Sequence, residues 1–291
     1  MGALFPSPDG SKYAIAGAWG SVTLLDIERG TLLPLPLDGA GGGGGFLGWH
    51  PDNQRVLYRH DGGDQAGLWL VGPGSVTVLV RELSAAAIRD AAVSPDGNWL
   101  VYSDWRGFGS AAELRLQGIN DLQHTVLYTG EADIFAISWS PDGRHIAFFG
   151  DQGYMVTGAD GTSLRTLDIQ LLASQPFVEP VWSPDGRQIA YVAQLPIERQ
   201  ATEAVRLPLA ETSIRLIDVN TGTERPLLDD NYLGDFDPAW SPDGSHLVFV
   251  SLRTGTSELW IVNIDGTGLR QLSAEGVLIR APIWQQLTKG S

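Results

Sequence analysis

The sequence contains no cysteine, and its basic residues are scarce. Without cysteine the chain forms neither a disulfide nor a thiolate metal site, so cysteine usage leaves the redox compartment open. Lysine and arginine number 19 against 34 aspartates and glutamates, which gives a formal net charge of −15. Because nucleic acids and anionic membrane surfaces bind clustered basic residues, this composition argues against both as partners.

Long apolar runs are also missing. No stretch approaches the roughly 18 apolar residues of a membrane-spanning helix, and we expect no membrane insertion. The nearest candidate for an amphipathic helix is Leu83–Ala92, where we predict at most one or two helical turns. The first turn motif begins at Phe5, and no signal peptide is visible before it. We read this start as that of a domain excised from a longer chain, which would favour a periplasmic or extracellular location.

What the sequence does contain is a repeated turn motif. One copy is Trp240-Ser241-Pro242-Asp243-Gly244, which lies between two apolar runs. Proline presets φ, and Asp and Gly supply local hydrogen bonding and a positive φ, so the motif predicts a tight turn between two strands. The Ser position of the successive copies falls at residues 7, 50, 94, 140, 183 and 241, with His50 in place of serine in the second copy.

The spacing of these copies predicts the fold. The steps are 43, 44, 46, 43 and 58 residues, and a period of about 40–50 residues with several short strands is typical of β-propellers. One four-stranded repeat cannot bury both of its faces, whereas a ring of repeats can. We therefore predict an all-β, six-bladed β-propeller of four-stranded antiparallel blades. It is a single domain over residues 1–291, with repeats at about 3–46, 47–90, 91–136, 137–179, 180–237 and 238–287.

The ends of the chain are expected to meet at one blade. Trp284 lies 44 residues after Trp240, so it belongs to another first strand, and Phe5 is assigned to the same slot of the repeat. Pairing of the N- and C-terminal segments would close the ring and remove two open edges. The glycine run Gly41–Gly45 lies between the first two blades, and we predict a flexible loop there.

Apolar runs predict the strands within each blade. The predicted second strands are Tyr13–Ala18, Arg55–Arg59, Trp99–Ser103, His145–Phe149, Gln188–Ala193 and His246–Val250. The predicted third strands are Val22–Ile27, Leu68–Val71, Glu113–Leu116, Tyr154–Thr157, Ser213–Val219 and Glu258–Asn263. The predicted fourth strands lie around 31–35, 75–80, 125–128, 163–167, 225–228 and 269–272.

These features resemble the repeats of TolB-like propellers. The turn copies, the apolar strand after each turn and the run Leu259–Leu272 carry the resemblance over essentially the whole chain. The resemblance implies the propeller fold. TolB itself looks like a periplasmic scaffold that binds partner proteins, and it has an additional N-terminal domain that this sequence does not contain. Similar blades also form the gating domain of prolyl-oligopeptidase-type peptidases, and other similar propellers are lyases with a histidine-bound metal.

The residues themselves do not favour an enzyme. No Gly-x-Ser-x-Gly nucleophile motif is present. His145 and His246 occupy equivalent places in different blades, so they are not expected to converge on a metal ion. We expect no catalytic residue, no metal and no cofactor. The alternatives left open are the propeller domain of a larger peptidase, hydrolase or sensor protein, and a metal-dependent propeller lyase.

The variable loops are the better candidates for function, because binding residues usually lie on variable loops of a rigid scaffold. Four loop segments differ most between repeats: His60–Asp64, Asp104–Phe108, the insertion Gln194–Thr212 and the acidic segment Asp229–Asp237. A calcium site at the acidic segment is disfavoured, because its spacing does not match the twelve-residue calcium loop. We predict a monomeric scaffold that binds a basic protein or peptide, or another domain of its parent chain. The predicted binding residues are Trp105, Phe108, Asp229, Asp230, Tyr232, Asp235, Phe236 and Asp237.

Overall fold

The computed structural model describes most of the chain. The described residues are 3–17, 21–35, 44–61, 66–81, 88–105, 110–121, 123–167, 180–194, 212–229 and 234–273, together with Pro282 and Trp284. They form 24 strands, grouped into six four-stranded antiparallel sheets. This is the predicted all-β, six-bladed β-propeller.

The chain divides into two compact units, of which the first holds nearly all of blades 1 to 4 and the second holds blades 5 and 6. The strands of the first unit are β1 (Ala3–Pro6), β2 (Lys12–Ala16), β3 (Val22–Asp26), β4 (Thr31–Pro34), β5 (Gly44–Trp49), β6 (Val56–His60), β7 (Gly67–Gly72), β8 (Ser75–Arg81), β9 (Ala91–Val93), β10 (Trp99–Trp105), β11 (Ala112–Gly118), β12 (His124–Gly130), β13 (Phe135–Trp139), β14 (His145–Gly150), β15 (Gly153–Gly158) and β16 (Arg165–Leu167). The strands of the second unit are β17 (Val181–Trp182), β18 (Gln188–Gln194), β19 (Thr212–Asp218), β20 (Glu224–Pro226), β21 (Asp235–Trp240), β22 (His246–Ser251), β23 (Glu258–Asn263) and β24 (Arg270–Gln271).

Each sheet follows chain order, so the connections of every blade lie at two opposite ends of its strands. We call these two ends the turn edge and the loop edge. The turn edge is where the first strand turns into the second and the third into the fourth. The loop edge is the opposite one, where second strands end, third strands begin, fourth strands end and the next first strand begins. No helix occurs among the described residues. Accordingly, none that could cross a membrane is found in the described part.

The repeated motif forms the same hydrogen-bonded turn in successive blades. In blade 3 the Ser94 hydroxyl donates to Asp96 at 2.5 Å and accepts from the Trp99 amide at 2.9 Å, while the Gly97 amide donates to the Ser94 carbonyl at 2.9 Å. The same serine-to-aspartate bond recurs at the serine positions 7, 140, 183 and 241. The turn aspartates are therefore structural, as their sequence setting predicts.

Blade 2 replaces the turn serine with His50, and the larger side chain reaches the next blade. Its Nδ1 atom accepts from the Asp52 amide at 3.2 Å, and its Nε2 atom lies 3.2 Å from the Gly97 carbonyl oxygen. Gly97 has a φ of +74°, and a Cβ atom built there would lie 2.9 Å from the imidazole ring. Gly97 thus meets two requirements, a left-handed backbone and close contact with a neighbouring blade.

Tryptophan side chains link neighbouring blades. Trp49, the last residue of β5, donates from Nε1 to the carbonyl of Phe5 in the preceding blade at 3.1 Å. Three tryptophans repeat this bond: Trp139 to Ala92, Trp240 to Val181 and Trp284 to Ala239, at 3.1–3.2 Å. In each case the acceptor lies two residues before the turn-serine position of the preceding blade. The bond identifies these tryptophans as blade-packing residues, in agreement with their shared place in the repeat.

The register corrects one assignment at the N-terminus. Pro6 pairs with Tyr13, just as Trp49 pairs with Val56 and Trp240 with Leu247. Pro6 therefore occupies the position in its repeat that Trp49, Trp240 and Trp284 occupy in theirs. Phe5 lies one residue before that position. Pairing of the terminal segments lies outside the described residues, which near the C-terminus include only Pro282 and Trp284.

The second strands form the centre of the hydrophobic core. In blades 2 to 6 an aromatic residue stands eight positions after the turn-serine position, and each is at most 2% exposed: Tyr58, Tyr102, Phe148, Tyr191 and Phe249. Blade 1 has the smaller Ile15 at this position. Burying an aromatic ring removes about 150–250 Å² of surface from water. These five residues therefore contribute strongly to the hydrophobic stabilisation of their blades.

Two loop expectations differ from the structure. Gly44 and Gly45 of the glycine run belong to β5 and pair with His60 and Arg59. Gly44 has a φ of +151°, and a Cβ atom there would lie 2.4 Å from the Tyr58 hydroxyl, so close packing accounts for this glycine. The end of the helix candidate is also a strand, because Ala91 and Ala92 lie in β9. The remainder of both segments is mostly outside the described residues.

The tryptophan bond makes a stability prediction. Trp240→Phe removes the Nε1 donor and leaves the Val181 carbonyl without this partner, which should lower the free energy of unfolding by about 1–3 kcal/mol. Trp99→Phe is the matched control, because Trp99 is 46% exposed and should change stability by less than about 0.5 kcal/mol. Urea unfolding followed by far-ultraviolet circular dichroism measures both. Equal losses would show that the bond to Val181 contributes little.

The contact between His50 and Gly97 predicts a difference between two glycines. Gly97→Ala and Gly222→Ala both place a Cβ at a φ near +70°, but nothing lies within 4 Å of the Cβ position at Gly222. Both variants should lose about 1–2 kcal/mol from the left-handed backbone, and Gly97→Ala should lose about 1–3 kcal/mol more from overpacking against His50. Thermal unfolding of the pair checks the difference. Similar losses would mean that the imidazole moves aside freely.

Candidate functional site

The loop edge of blades 2 to 4 carries a network of charged side chains. Arg59, in the second strand of blade 2, binds Asp61 through two nitrogens at 2.7 and 3.2 Å. Its guanidinium also donates to the Ile88 carbonyl at 3.2 Å, in the segment that leads into blade 3. Arg59 therefore holds a loop-edge carboxylate in place and links two successive blades.

Blade 3 contains a second arginine with two carboxylate partners. Arg115 in β11 lies 2.5 Å from Asp104 and 2.6 Å from Glu113. The Asp104 side chain is almost fully buried, whereas that of Glu113 is 30% exposed. A charged carboxylate is tolerated in such a buried position only with a close counter-ion. Arg115 thus fixes the end of β10 to the beginning of β11.

Arg89 connects blades 3 and 4 at the same edge. Its Nε atom lies 2.9 Å from Asp133 Oδ2, and its Cζ atom lies 5.4 Å from the centroid of the Trp105 ring. The arginine side chain is 48% exposed and that of Asp133 is 30% exposed. The arrangement combines an ion pair with a cation–π contact.

Asp90 accepts hydrogen bonds across the same pair of blades. Its carboxylate accepts from the Ala91 amide at 2.8 Å and from the Ile137 amide of blade 4 at 2.7 Å. Ile137 lies at a bulge in β13 beside Ala136, whose φ is +53°. Burial raises the pKa of Asp90, and the two amides partly oppose that effect. The bulge of blade 6 has Pro238 in the place of Ile137, so it has no amide hydrogen to satisfy.

In the second unit, the charged groups at the loop edge of blade 6 are mostly structural. Asp235 binds Arg253 at 2.9 and 3.1 Å, and the guanidinium carbon lies 5.0 Å from the centroid of Trp260. Glu258 is fully buried and accepts from Thr254, Thr256 and Gln271 at 2.5–3.0 Å. These carboxylates brace the blade internally.

The predicted binding residues differ in their location and in their exposure to solvent. Trp105 lies at the loop edge beside Arg89, and Asp229 is exposed. Asp237 is half-buried at the bulge of β21, with a φ of +51°. Phe236 and Asp235 are each 3% exposed, with Phe236 in the core cluster of blades 5 and 6. Burial removes both from the set of surface contacts. Phe108, Asp230 and Tyr232 lie outside the described residues, as does most of the insertion Gln194–Thr212.

The sequence did not single out Arg89, Asp90, Arg115 or Asp133. Each lies near a strand end at the loop edge, but at least one of its partners comes from another strand or another blade. The available signal was an arginine or aspartate within two or three residues of a predicted strand end. That signal does not say which charges pair.

The histidines do not cluster where the structure describes them. His50 belongs to the turn of blade 2, and His60 is buried with its ring stacked on Trp69 at 5.4 Å. His145 and His246 begin the second strands of blades 4 and 6. Among the described residues, no group of three or more His, Asp or Glu side chains is arranged to hold a metal ion.

A cleft of about 600 Å³ lies at the turn edge of the second unit. Its lining includes Asp185, Asp218 and Asp243 beside Arg187 and Trp240. Each of the three aspartates already accepts bonds within its own turn. The cleft is therefore a groove between two structural turns, and the loop edge remains the better candidate site.

The two kinds of aspartate predict opposite pH dependences. Hydrogen bonds from Ser94 and Asn98 lower the pKa of Asp96. Asp96 therefore stabilises the fold above its unfolded pKa of about 3.9, and this contribution is lost as the pH falls. The pKa of Asp90 is raised, so its ionisation reduces stability at neutral pH, and the penalty is relieved as the pH falls through the folded pKa.

Urea unfolding of Asp96→Asn and Asp90→Asn between pH 7 and pH 3 checks both directions. The stability lost in Asp96→Asn, relative to the unsubstituted chain, should shrink as the pH falls. The stability lost in Asp90→Asn should grow over the same range, because only the unsubstituted chain gains from protonation of Asp90. Parallel trends in the two variants would contradict the assignment.

Comparison with known protein sequences identifies a relative that matches part of the chain. No protein-family model matches the chain. It is 28% identical over 225 residues to an uncharacterized protein of Agrobacterium fabrum, an alignment that covers 77% of this chain and 56% of that protein. The chain thus spans little more than half the length of this relative.

Several solved structures share the architecture. TolB from Acinetobacter baumannii has a TM-score of 0.50 at 18% identity, over 97% of this chain and 65% of that one. An oligogalacturonate lyase from Vibrio parahaemolyticus has a TM-score of 0.62 at 15% identity, over 93% and 76% of the two chains. A puromycin-hydrolyzing peptidase of Mycobacterium tuberculosis has a TM-score of 0.63 at 15% identity, over 97% and 46%. At these identities the likeness concerns the fold alone, and it agrees with the repeat pattern: the chain has the fold of a TolB-like six-bladed β-propeller.

Proposed function

We propose that the protein is a non-catalytic scaffold that binds a basic protein or peptide at the loop edge of its blades. The observation that supports the proposal most is the acidic surface of blades 2 to 4, where each arginine of the network is already paired with a carboxylate. Among the described residues, the carboxylates at this edge that reach the surface are Asp61, Glu113, Glu131, Asp133 and Asp151. They outnumber the arginines that pair with them, which favours a cationic partner.

The geometry of this edge suits binding. Glu131 and Asp151 are exposed, and the Glu131 amide donates to Asp151 at 3.3 Å, which holds the Asp151 carboxylate beside the Glu131 backbone. Arg59 restrains a further carboxylate, that of Asp61, in a single position. Side chains that are already ordered lose less conformational entropy when a partner binds. Trp105 adds an aromatic surface of the kind that often contributes strongly to protein interfaces.

A second candidate is a propeller domain that acts inside a longer protein. It is favoured by the lengths of the similar proteins: the chain covers 46% of the Mycobacterium tuberculosis peptidase and 56% of the Agrobacterium fabrum relative. The partner of the loop edge would then be another domain of the same polypeptide, such as a hydrolase or a sensor module. We further propose a monomer and, from the TolB-like repeats, a periplasmic or extracellular location.

Charge reversal at the loop edge tests the first proposal. The partner is captured from an extract of the source organism, identified by mass spectrometry, and its affinity is measured by surface plasmon resonance. Glu131→Lys should weaken binding about three- to tenfold at low salt, because an exposed charge at an interface acts mainly on the association rate. The effect should shrink as added salt screens the charge.

Glu28→Lys is the matched control. Glu28 is exposed at the turn edge of blade 1, so its reversal changes the net charge equally and should leave the affinity within about twofold. If both variants weaken partner binding equally, the effect comes from the change in net charge and not from the position of Glu131. An affinity unchanged by Glu131→Lys, with a normal fold, would contradict binding at this edge.

A further inference from the structure

We infer that Trp105 and Asp133 form a subsite for an arginine side chain of the partner, and that Arg89 occupies this subsite in the free protein. The inference rests on the proposed binding function and names the chemical group that the loop edge recognises. The guanidinium of Arg89 lies over the Trp105 ring and is ion-paired with Asp133. An aromatic face and a carboxylate together are what an incoming guanidinium requires.

The carboxylate of Asp133 has bonding capacity that Arg89 does not use. Arg89 contacts Oδ2 through Nε at 2.9 Å. The Ile134 amide also interacts with this carboxylate, but Oδ1 is buried and has no hydrogen-bond partner in the described part of the chain. A buried carboxylate oxygen without a donor is costly, and a bidentate guanidinium would satisfy both oxygens at once. Arg89 therefore fills the subsite incompletely.

The side chain of Arg89 can leave without moving the backbone. Its amide donates to the Ser103 hydroxyl at 3.0 Å, and the neighbouring Asp90 amide donates to the same hydroxyl at 3.1 Å. These bonds anchor the main chain, whereas the side chain is 48% exposed. Displacement of an exposed arginine from one ion pair costs little. The partner's arginine could thus replace Arg89, which would remain free to turn toward solvent.

Trp105 is held firmly enough to act as a binding surface. It ends β10, pairs with Ala112 of the neighbouring strand, and packs against the core cluster of blades 3 and 4. A ring fixed in this way offers a preformed contact to a cation. Asp133 lies just before β13, so the subsite is built from two successive blades within one compact unit.

Removal of Arg89 followed by addition of its side-chain fragment tests the inference. Ethylguanidinium chloride is titrated into Arg89→Ala, with potassium chloride keeping the ionic strength constant, and binding is followed by calorimetry and by the thermal midpoint. The variant should bind ethylguanidinium at least tenfold more tightly than the unsubstituted chain, in which Arg89 competes for the subsite. Ethylammonium should bind more weakly than ethylguanidinium, because it cannot bond both carboxylate oxygens in one plane.

Further variants identify the residues involved. Arg89→Ala combined with Asp133→Asn, or with Trp105→Leu, should lose the binding gained in Arg89→Ala. Arg187→Ala is the control, because Arg187 is an exposed arginine that lies 4.0 Å from the Asp185 carboxylate, and it should gain no binding. Arg89→Gln provides a second way to empty the subsite if Arg89→Ala folds poorly. Equal binding by the unsubstituted chain and both Arg89 variants would overturn the inference, as would binding that survives Asp133→Asn.

The outcome separates this inference from the proposed function. Ethylguanidinium binding needs no partner, so it can succeed even if Glu131→Lys leaves partner affinity unchanged. In that case a guanidinium subsite is present, but the proposed binding of a partner at this edge fails. If Glu131→Lys weakens partner binding but no Arg89 variant binds ethylguanidinium, the loop edge binds its partner without this subsite.

Discussion

Contact between neighbouring blades is the constraint on which the rest of the structure depends. A four-stranded sheet has two faces, and it buries both only when other sheets pack against it. The link from Trp240 to the Val181 carbonyl and the approach of His50 to Gly97 show how closely the blades fit. Both contacts lie at the repeated turn. Each copy of the motif therefore has to meet two structural requirements, the shape of its own turn and the fit to the next blade.

This constraint gives the two edges of the blades different properties. At the turn edge, polar groups are satisfied within a few residues, as in the bond from Ser94 to Asp96. Such turns repeat with little variation because each must match its neighbour. At the loop edge, some charges are paired between residues that are far apart in the sequence, as in the pair of Arg89 and Asp133. The loop edge is free to vary, which makes it the suitable place for a binding surface.

The sequence predicted the parts of the fold that local rules determine. The spacing of the turns located six blades, and the apolar runs located their strands to within about one to three residues, since turn chemistry and strand alternation act over short distances. Phe236 shows where this reasoning failed. It lies in a carboxylate-rich segment that looks like a surface loop, yet it enters β21 and packs in the core. Its burial depends on residues from other strands, which no local pattern reveals.

The same distinction explains why the candidate subsite was only half visible in the sequence. Trp105 was recognised because it stands in the variable segment Asp104–Phe108 next to a predicted strand, which is a local signal. Arg89 and Asp133 were not, because they are 44 residues apart and meet only when two blades pack together. The unpartnered oxygen of Asp133 is a still less local property, since it depends on everything that surrounds the carboxylate. In this propeller the repeated hydrogen bonds lie at or beside the turns, whereas the candidate subsite is formed by a contact between two particular blades at the loop edge.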